Sequence, residues 1–250
     1  MPNGVEINSK ETAAIVGLAA EKITITLAEG TENILTDGGN SEYDGCIFSN
    51  AELVFEGEGK LTVTGQQNEG EGIATEAQNI TFNGGVYYII SNDDGINAGG
   101  DGATITINGG TFYIDAGGDG IDSNKNAVIN GGTVVALGSD MIELPGDASA
   151  QNTIAFTADS VIGKDTVVTL AKDGEAVISF SANKSFITII ISSDLEYDEY
   201  SLHVGGSYNG ELANGIIANG LEALGDKISV NGTDVFTVSK TVNSFGGRGR

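Results

Sequence analysis

The chain has 250 residues, 40% of them hydrophobic, which is enough apolar material for a folded body and too much for a disordered chain. Its formal net charge of −24, from 11 Lys and Arg against 35 Asp and Glu, excludes nucleic acid and anionic membranes as expected partners. A glycine count of 38 with only 2 prolines excludes collagen, a single cysteine excludes an internal disulfide, and no apolar run is long enough for membrane insertion.

From the N-terminus, Met1 and Pro2 lead straight into Val5-Glu6-Ile7, which reads as a repeat strand. No signal peptide is read there, so the expectation is that a leader and an N-terminal cap have been removed. Weaker repeats follow at Ile23 to Leu27 and at Leu53 to Val63. Cys46 is read as a small core residue at a repeat position held by Ile elsewhere.

Three segments then align almost without gaps. Glu71-Gly72-Ile73-Ala74-Thr75, Asp94-Gly95-Ile96-Asn97-Ala98 and Asp119-Gly120-Ile121-Asp122-Ser123 each open a repeat. A second strand follows in each (Ile80 to Asn83, Ile105 to Asn108, Ala127 to Asn130), all three ending in Asn-Gly-Gly. A third comes at Val86 to Ile89, Thr111 to Ile114 and Thr133 to Ala136. Short alternating strands, glycine turns and the absence of helical periodicity predict an all-β parallel β-helix over residues 1–150. Stacked rungs should bury Ile73, Ile96 and Ile121 in one ladder, Phe82, Ile107 and Ile129 in another, and Tyr87, Phe112 and Val134 in a third. Asn83, Asn108 and Asn130 should form a structural amide ladder at one turn.

The same stacking brings acids together. Asp44, Glu71, Asp94, Asp119 and Asp140 recur every 21 to 27 residues. On neighbouring rungs, about 4.8 Å apart, such carboxylates repel by about 3 to 4 kcal/mol at an effective dielectric near 20. Alternation on the first strand points Asn97 and Asp122 outward, and Glu143 aligns with them. Two adjacent columns of oxygen ligands, with Glu71 and Asp93 beside them, point to calcium, which takes six to eight oxygens. The bland alternative is solvated turn chemistry, in which Asp-Gly is simply a good turn.

Tyr88 and Tyr113 share the outward parity of the third strand in consecutive repeats, and predict an exposed aromatic platform suited to a sugar ring. Lys125, the only basic residue from Leu61 to Ala150, is the one candidate general base. Carboxylate neighbours favour a protonated ammonium, so it is read as charge-balancing and no catalytic residue is assigned. The lone His203 is read as an ordinary strand residue.

After about Gln151 the repeat signatures stop. Strands expected at Thr153 to Thr157, Thr166 to Leu170, Ala176 to Ser181, Phe186 to Ile191, Tyr200 to Val204 and Asp234 to Val238 read as an antiparallel cap over residues 151–245. Lys172-Asp173-Gly174-Glu175 supplies a hairpin turn, and residues 246–250 read as a flexible tail.

The repeated Asp-Gly-Ile and Asn-Gly-Gly signatures are followed by Gln151-Asn152-Thr153-Ile154, the Lys172 to Phe180 hairpin, Ser201-Leu202-His203-Val204-Gly205-Gly206 and Phe236-Thr237-Val238-Ser239. In that order they resemble the clostridial family of secreted carbohydrate-binding β-helix proteins whose founding member binds cellulose and polygalacturonate. The resemblance runs from about Ile7 to Phe245 and implies a right-handed, pectate-lyase-like solenoid that binds calcium and is secreted or held at the cell surface. It implies a non-catalytic protein that recognises plant cell-wall polysaccharide. A calcium-dependent pectate lyase and a structural adhesin component are the competing readings.

Overall fold

The computed structural model describes residues 3–39, 42–66, 70–139 and 142–246, and every regular element among them is a β-strand. Five successive repeats each supply three strands. The first contributes Ile15–Gly17, Lys22–Leu27 and Glu32–Thr36, and the second Ile47–Ser49, Glu52–Gly57 and Lys60–Thr64. The third contributes Ile73–Thr75, Ile80–Phe82 and Val86–Ile90, and the fourth Ile96–Ala98, Thr104–Ile107 and Thr111–Asp115. Ile121–Ser123, Asn126–Ile129 and Thr133–Gly138 make the fifth. Equivalent strands pair in parallel from rung to rung, so the chain winds a parallel β-helix with three sheets. Glu6–Asn8 adds one more parallel strand to the third sheet.

The register follows the hydrophobic pattern, because a slip of one residue would turn every apolar side chain outward. Ile47, Ile73, Ile96 and Ile121 stand opposite one another along the first sheet. Phe55, Phe82, Ile107 and Ile129 do so along the second, and Leu61, Tyr87, Phe112 and Val134 along the third. All are buried in one core, each stabilising the fold by about 1.5–3 kcal/mol. Aromatic rings stack at the rung spacing, Phe55 on Phe82 at 4.8 Å and Tyr87 on Phe112 at 4.5 Å. The Tyr87 hydroxyl, buried with its ring, donates to the Gly84 carbonyl at 2.8 Å. The amide ladder forms as expected, with Asn130 donating to Asn108 and Asn108 to Asn83, each at 2.9 Å.

The second repeat corrects one expectation. Ile47 pairs with Ile73, so Cys46 occupies the place of Gly72 and not that of the Ile ladder. The turn ahead of it carries one residue more than its neighbours, and Asp44 lies one place upstream of register with Glu71. Cys46 is nonetheless a buried free thiol in the core, and burial pushes its pKa up to about 12.

The C-terminal region meets the solenoid in two ways. Phe186–Ser192 pairs antiparallel with the last rung strand Thr133–Gly138, and Thr153–Ile162 and Val242–Phe245 continue the same sheet. A second, cap sheet of Glu175–Ser181, Val167–Lys172, Glu199–Tyr208 and Leu221–Lys227 is closed at one edge by Leu212–Ala213 and Ile216–Ile217. The hairpin turn has positive φ at both Asp173 and Gly174, the primed geometry that matches strand twist. Tyr113, Val135 and Leu137 point out of the solenoid into a second core shared with Phe156, Leu170, Phe180 and Leu202. The cap therefore covers the side of the last two rungs as well as their end. Residues 247–250 of the expected tail lie outside the described residues.

Candidate functional site

Two outward surfaces concentrate the residues singled out from the sequence. One is the corner between the end of the third sheet and the start of the first. The other is the outer face of the third sheet.

At the corner each rung turns from its third strand into the next repeat's first strand, and the Asp-Gly-Ile segments set the acids there. Glu71 is only 6% exposed. Burial, then the charges of Asp44, Asp94 and Asp93, push its carboxyl up to about 9. Burial likewise lifts Asp94 to about 6, with Asp93 and Asp122 adding to it and the Asp119 backbone N–H opposing. The Asn97 amide nitrogen donates to Glu71 Oε1 and, at 3.2 Å, to Asp94 Oδ2, while Asp119 N donates to Asp94 Oδ1 at 2.7 Å. A Cβ added at Gly118 would lie 2.4 Å from Asp93 Oδ1 and 2.5 Å from Asp94 Oδ1, so glycine leaves a cradle towards which both carboxylates lean.

Asp122 and Glu143 form a second lobe. Ser123 donates to both oxygens of Glu143, from its backbone N–H and, at 3.0 Å, from its hydroxyl. Burial, opposed by these bonds and reinforced by Asp122, raises Glu143 to about 7. The corner thus brings together Glu71, Asp93, Asp94, Asn97, Asp119 and Asp122, and links Asp122 to Glu143. Asp140 lies outside the described residues. Among the described residues, no three of His, Cys, Asp and Glu are grouped as round a metal ion. The donors are all oxygen, and with the Gly118 cradle the set fits a hard cation in its chemistry.

Lys125 is exposed and lines a cleft of about 220 Å³ with Asp122, Ser123, Asn126 and Glu143. The cation nearer the Asp93 turn is Lys184, from the cap. Its Nζ donates to the Ser91 carbonyl and, at 2.9 Å, to Asn92 Oδ1. Burial pushes the pKa of this ammonium down, with the charge of Asp115 opposing. Ninety-two residues separate Lys184 from Asn92, so no local signal could have pointed to it. His203 lies in the strand Glu199–Tyr208, bonded to Ser201 and the Gly225 carbonyl.

On the outer face of the third sheet the expected tyrosine pair is present but is not an exposed platform. Tyr88 and Tyr113 pair across rungs and their rings stack at 5.4 Å, tilted by 19°. Tyr113 is 0% exposed, because the cap closes over it: a Cβ at Gly215 would lie 2.4 Å from its ring, and its hydroxyl donates to the Ser181 carbonyl at 2.9 Å. Parity placed the ring outside the solenoid, and the second core then buried it. Tyr88 is half-buried, its hydroxyl accepting from Asn183 Nδ2 at 2.9 Å. Beneath the cap, Asp115 is 0% exposed and its Oδ2 accepts from Tyr113 Oη, Asn183 N and Lys184 N at 3.2, 2.5 and 3.1 Å.

The parallel β-helix, with its acidic corner and its stacked tyrosines, is a solenoid-type fold. The family model of carbohydrate-binding domain-containing proteins matches residues 1–235, and the chain belongs to that family. A carbohydrate-binding domain-containing protein of Acetivibrio thermocellus is 34% identical over 82 residues, covering 30% of this chain and 29% of the relative. This chain therefore matches less than a third of that relative's length. A solved polysaccharide lyase-like protein from C. thermocellum, a gadolinium derivative, is 26% identical with a TM-score of 0.45, covering 56% of this chain and 67% of its own.

Proposed function

We propose that this protein is a non-catalytic carbohydrate-binding module for plant cell-wall polysaccharide, cellulose or polygalacturonate, acting outside the cell or at its surface. The observation that carries the reading is on the outer face of the third sheet, where Tyr88, stacked on Tyr113 and bonded to Asn183, stays half-exposed beside Thr62. Family membership supports the carbohydrate class. Calcium at the corner is part of the proposal: Glu71, Asp93, Asp94 and Asn97, with Asp119, Asp122 and Glu143, would hold it, and its charge would offset their repulsion. A polyuronate would be repelled by a chain of net charge −24 and would bind through calcium shared by carboxylates of both partners.

Retention on immobilised cellulose and polygalacturonate, with calcium and with chelator, tests the reading. Retention by neither polymer in either condition would sink it in favour of a structural role. The lyase alternative predicts ultraviolet-absorbing unsaturated product from polygalacturonate and calcium, lost in Lys125→Ala. We expect no such product. Calcium bound only by the folded form at a hundred times its Kd stabilises by about 2.7 kcal/mol. A melting curve unchanged by chelation would remove calcium from the proposal.

A further inference from the structure

The outward column of the third sheet runs Glu6, Ile34, Thr62, Tyr88, Tyr113, Val135 in exact register from rung to rung. Rings occupy the third and fourth rungs of this column and stack face to face. Tyr113 supports one face of Tyr88, and the Asn183 amide fixes its hydroxyl. On the next rung the column holds Thr62, which has no ring to continue the stack. The face of Tyr88 turned away from Tyr113 therefore borders a step one rung deep, floored by Thr62 and walled by the tyrosine and the cap.

The surroundings select the occupant. Beside Thr62 the adjacent column carries Thr36, Thr64 and Ile90, so the floor offers hydroxyls and methyl groups and no charge. At its margin Lys60 and Glu32 neutralise each other at 2.9 Å. In a chain of net charge −24, Ile34, Thr62 and Tyr88 in one column and Thr36, Thr64 and Ile90 in the other carry no charge, with Glu6 and Asp115 standing further along the two columns. A charged sugar polymer would find the nearby ammonium groups already engaged, Lys60 by Glu32 and Lys184 by Ser91 and Asn92. An uncharged pyranose has an apolar face to lay on the ring and equatorial hydroxyls for the threonines.

We propose that a neutral, extended β-linked polysaccharide lies along Lys60–Thr64, with one pyranose over Thr62 continuing the Tyr113–Tyr88 stack. This rests on the carbohydrate-binding reading and deepens it by giving the site and the charge class of the polymer. Tyr88 supplies a face already held in place, so little side-chain freedom is lost on binding.

The test fills the step from within. Thr62→Tyr adds a third ring to the column, where cross-strand aromatic pairs favour the fold, so its melting temperature should equal or exceed that of the parent chain. Isothermal titration with cellohexaose should show binding to the parent, loss of about tenfold or more in Thr62→Tyr, and a comparable loss in Tyr88→Leu. Thr62→Tyr binding cellohexaose like the parent would overturn the site while leaving carbohydrate binding intact. Binding of trigalacturonate but not cellohexaose by the parent would overturn the charge class. If the parent binds neither oligosaccharide, and no immobilised polymer retains it, both the site and the underlying reading fail.

Discussion

The acidic corner and the outer face of the third sheet are made by the same rungs, yet they handle polarity in opposite ways. At the corner, turns place an acid on successive levels, and Glu71, Asp94 and Glu143 are all pushed up by burial before any neighbour's charge is counted. On the sheet face, charge is cancelled in place, as between Lys60 and Glu32, or replaced by threonine and tyrosine. A solenoid amplifies whatever its repeat carries, because each residue meets its own equivalent about 4.8 Å away. Repeated acids accumulate a negative field, and repeated rings and hydroxyls accumulate an amphipathic surface. The cap adds a second distinction within the sheet face. It buries Tyr113 and Asp115 and leaves Tyr88 half-open one rung away.

The largest expected effect breaks that second distinction. Asp115→Ala strands the backbone N–H groups of Asn183 and Lys184, both bonded to one buried oxygen, and removes one of the two acceptors of the Tyr113 hydroxyl, leaving the Ser181 carbonyl. A loss of about 3 kcal/mol in chemical denaturation is expected. Stability within a few tenths of the parent would show that the cap is held by its apolar core alone.

The next effect sharpens the corner. Burial holds the folded Glu71 carboxyl at about 9 against an ordinary value of 4.5, so between those values the folded state binds more protons than the unfolded. Stability from this group is then fully present below about pH 4.5 and is lost as pH rises towards 9. With chelator present, melting temperature should fall across that window, and Glu71→Gln should flatten the fall. Calcium should reverse it most strongly at the alkaline end. A parent profile that rises with pH in chelator would overturn this account of the corner.

The smallest effect concerns the turn ladder, which belongs to neither surface. Asn108→Ala removes the middle of three stacked amides and both exposed bonds, for an expected cost of about 1 kcal/mol. Asn83→Ala, at the end of the described run, should cost less, and equal costs for the two would mean that the bonds do not act as a ladder.

Much of the body was legible before any coordinates. An acid followed by Gly-Ile, and Asn-Gly-Gly, mark the third, fourth and fifth levels at constant places, and strand parity separates Ile96 from Asn97 and Tyr87 from Tyr88 by simple alternation. Register between rungs follows from burying the apolar column, so the ladders and the acids' proximity were readable as well. The second repeat resisted because its turn carries an extra residue, which moved Cys46 out of the isoleucine column. Parity also says only whether a side chain leaves the solenoid, and cannot say what awaits it outside.

The amino-acid sequence by itself determined the parallel β-helix, its three inward ladders, the amide row and the gathering of acids at one corner, since each depends on neighbours one repeat away. The tertiary structure alone decided which outward residues stay accessible. Tyr113 is covered by Gly215 and Ser181, and Lys184 reaches Ser91 and Asn92, through contacts spanning 68 to 102 residues with no repeat to announce them. Burial of an outward face depends on a second layer packing against it, and that packing is a property of the folded chain.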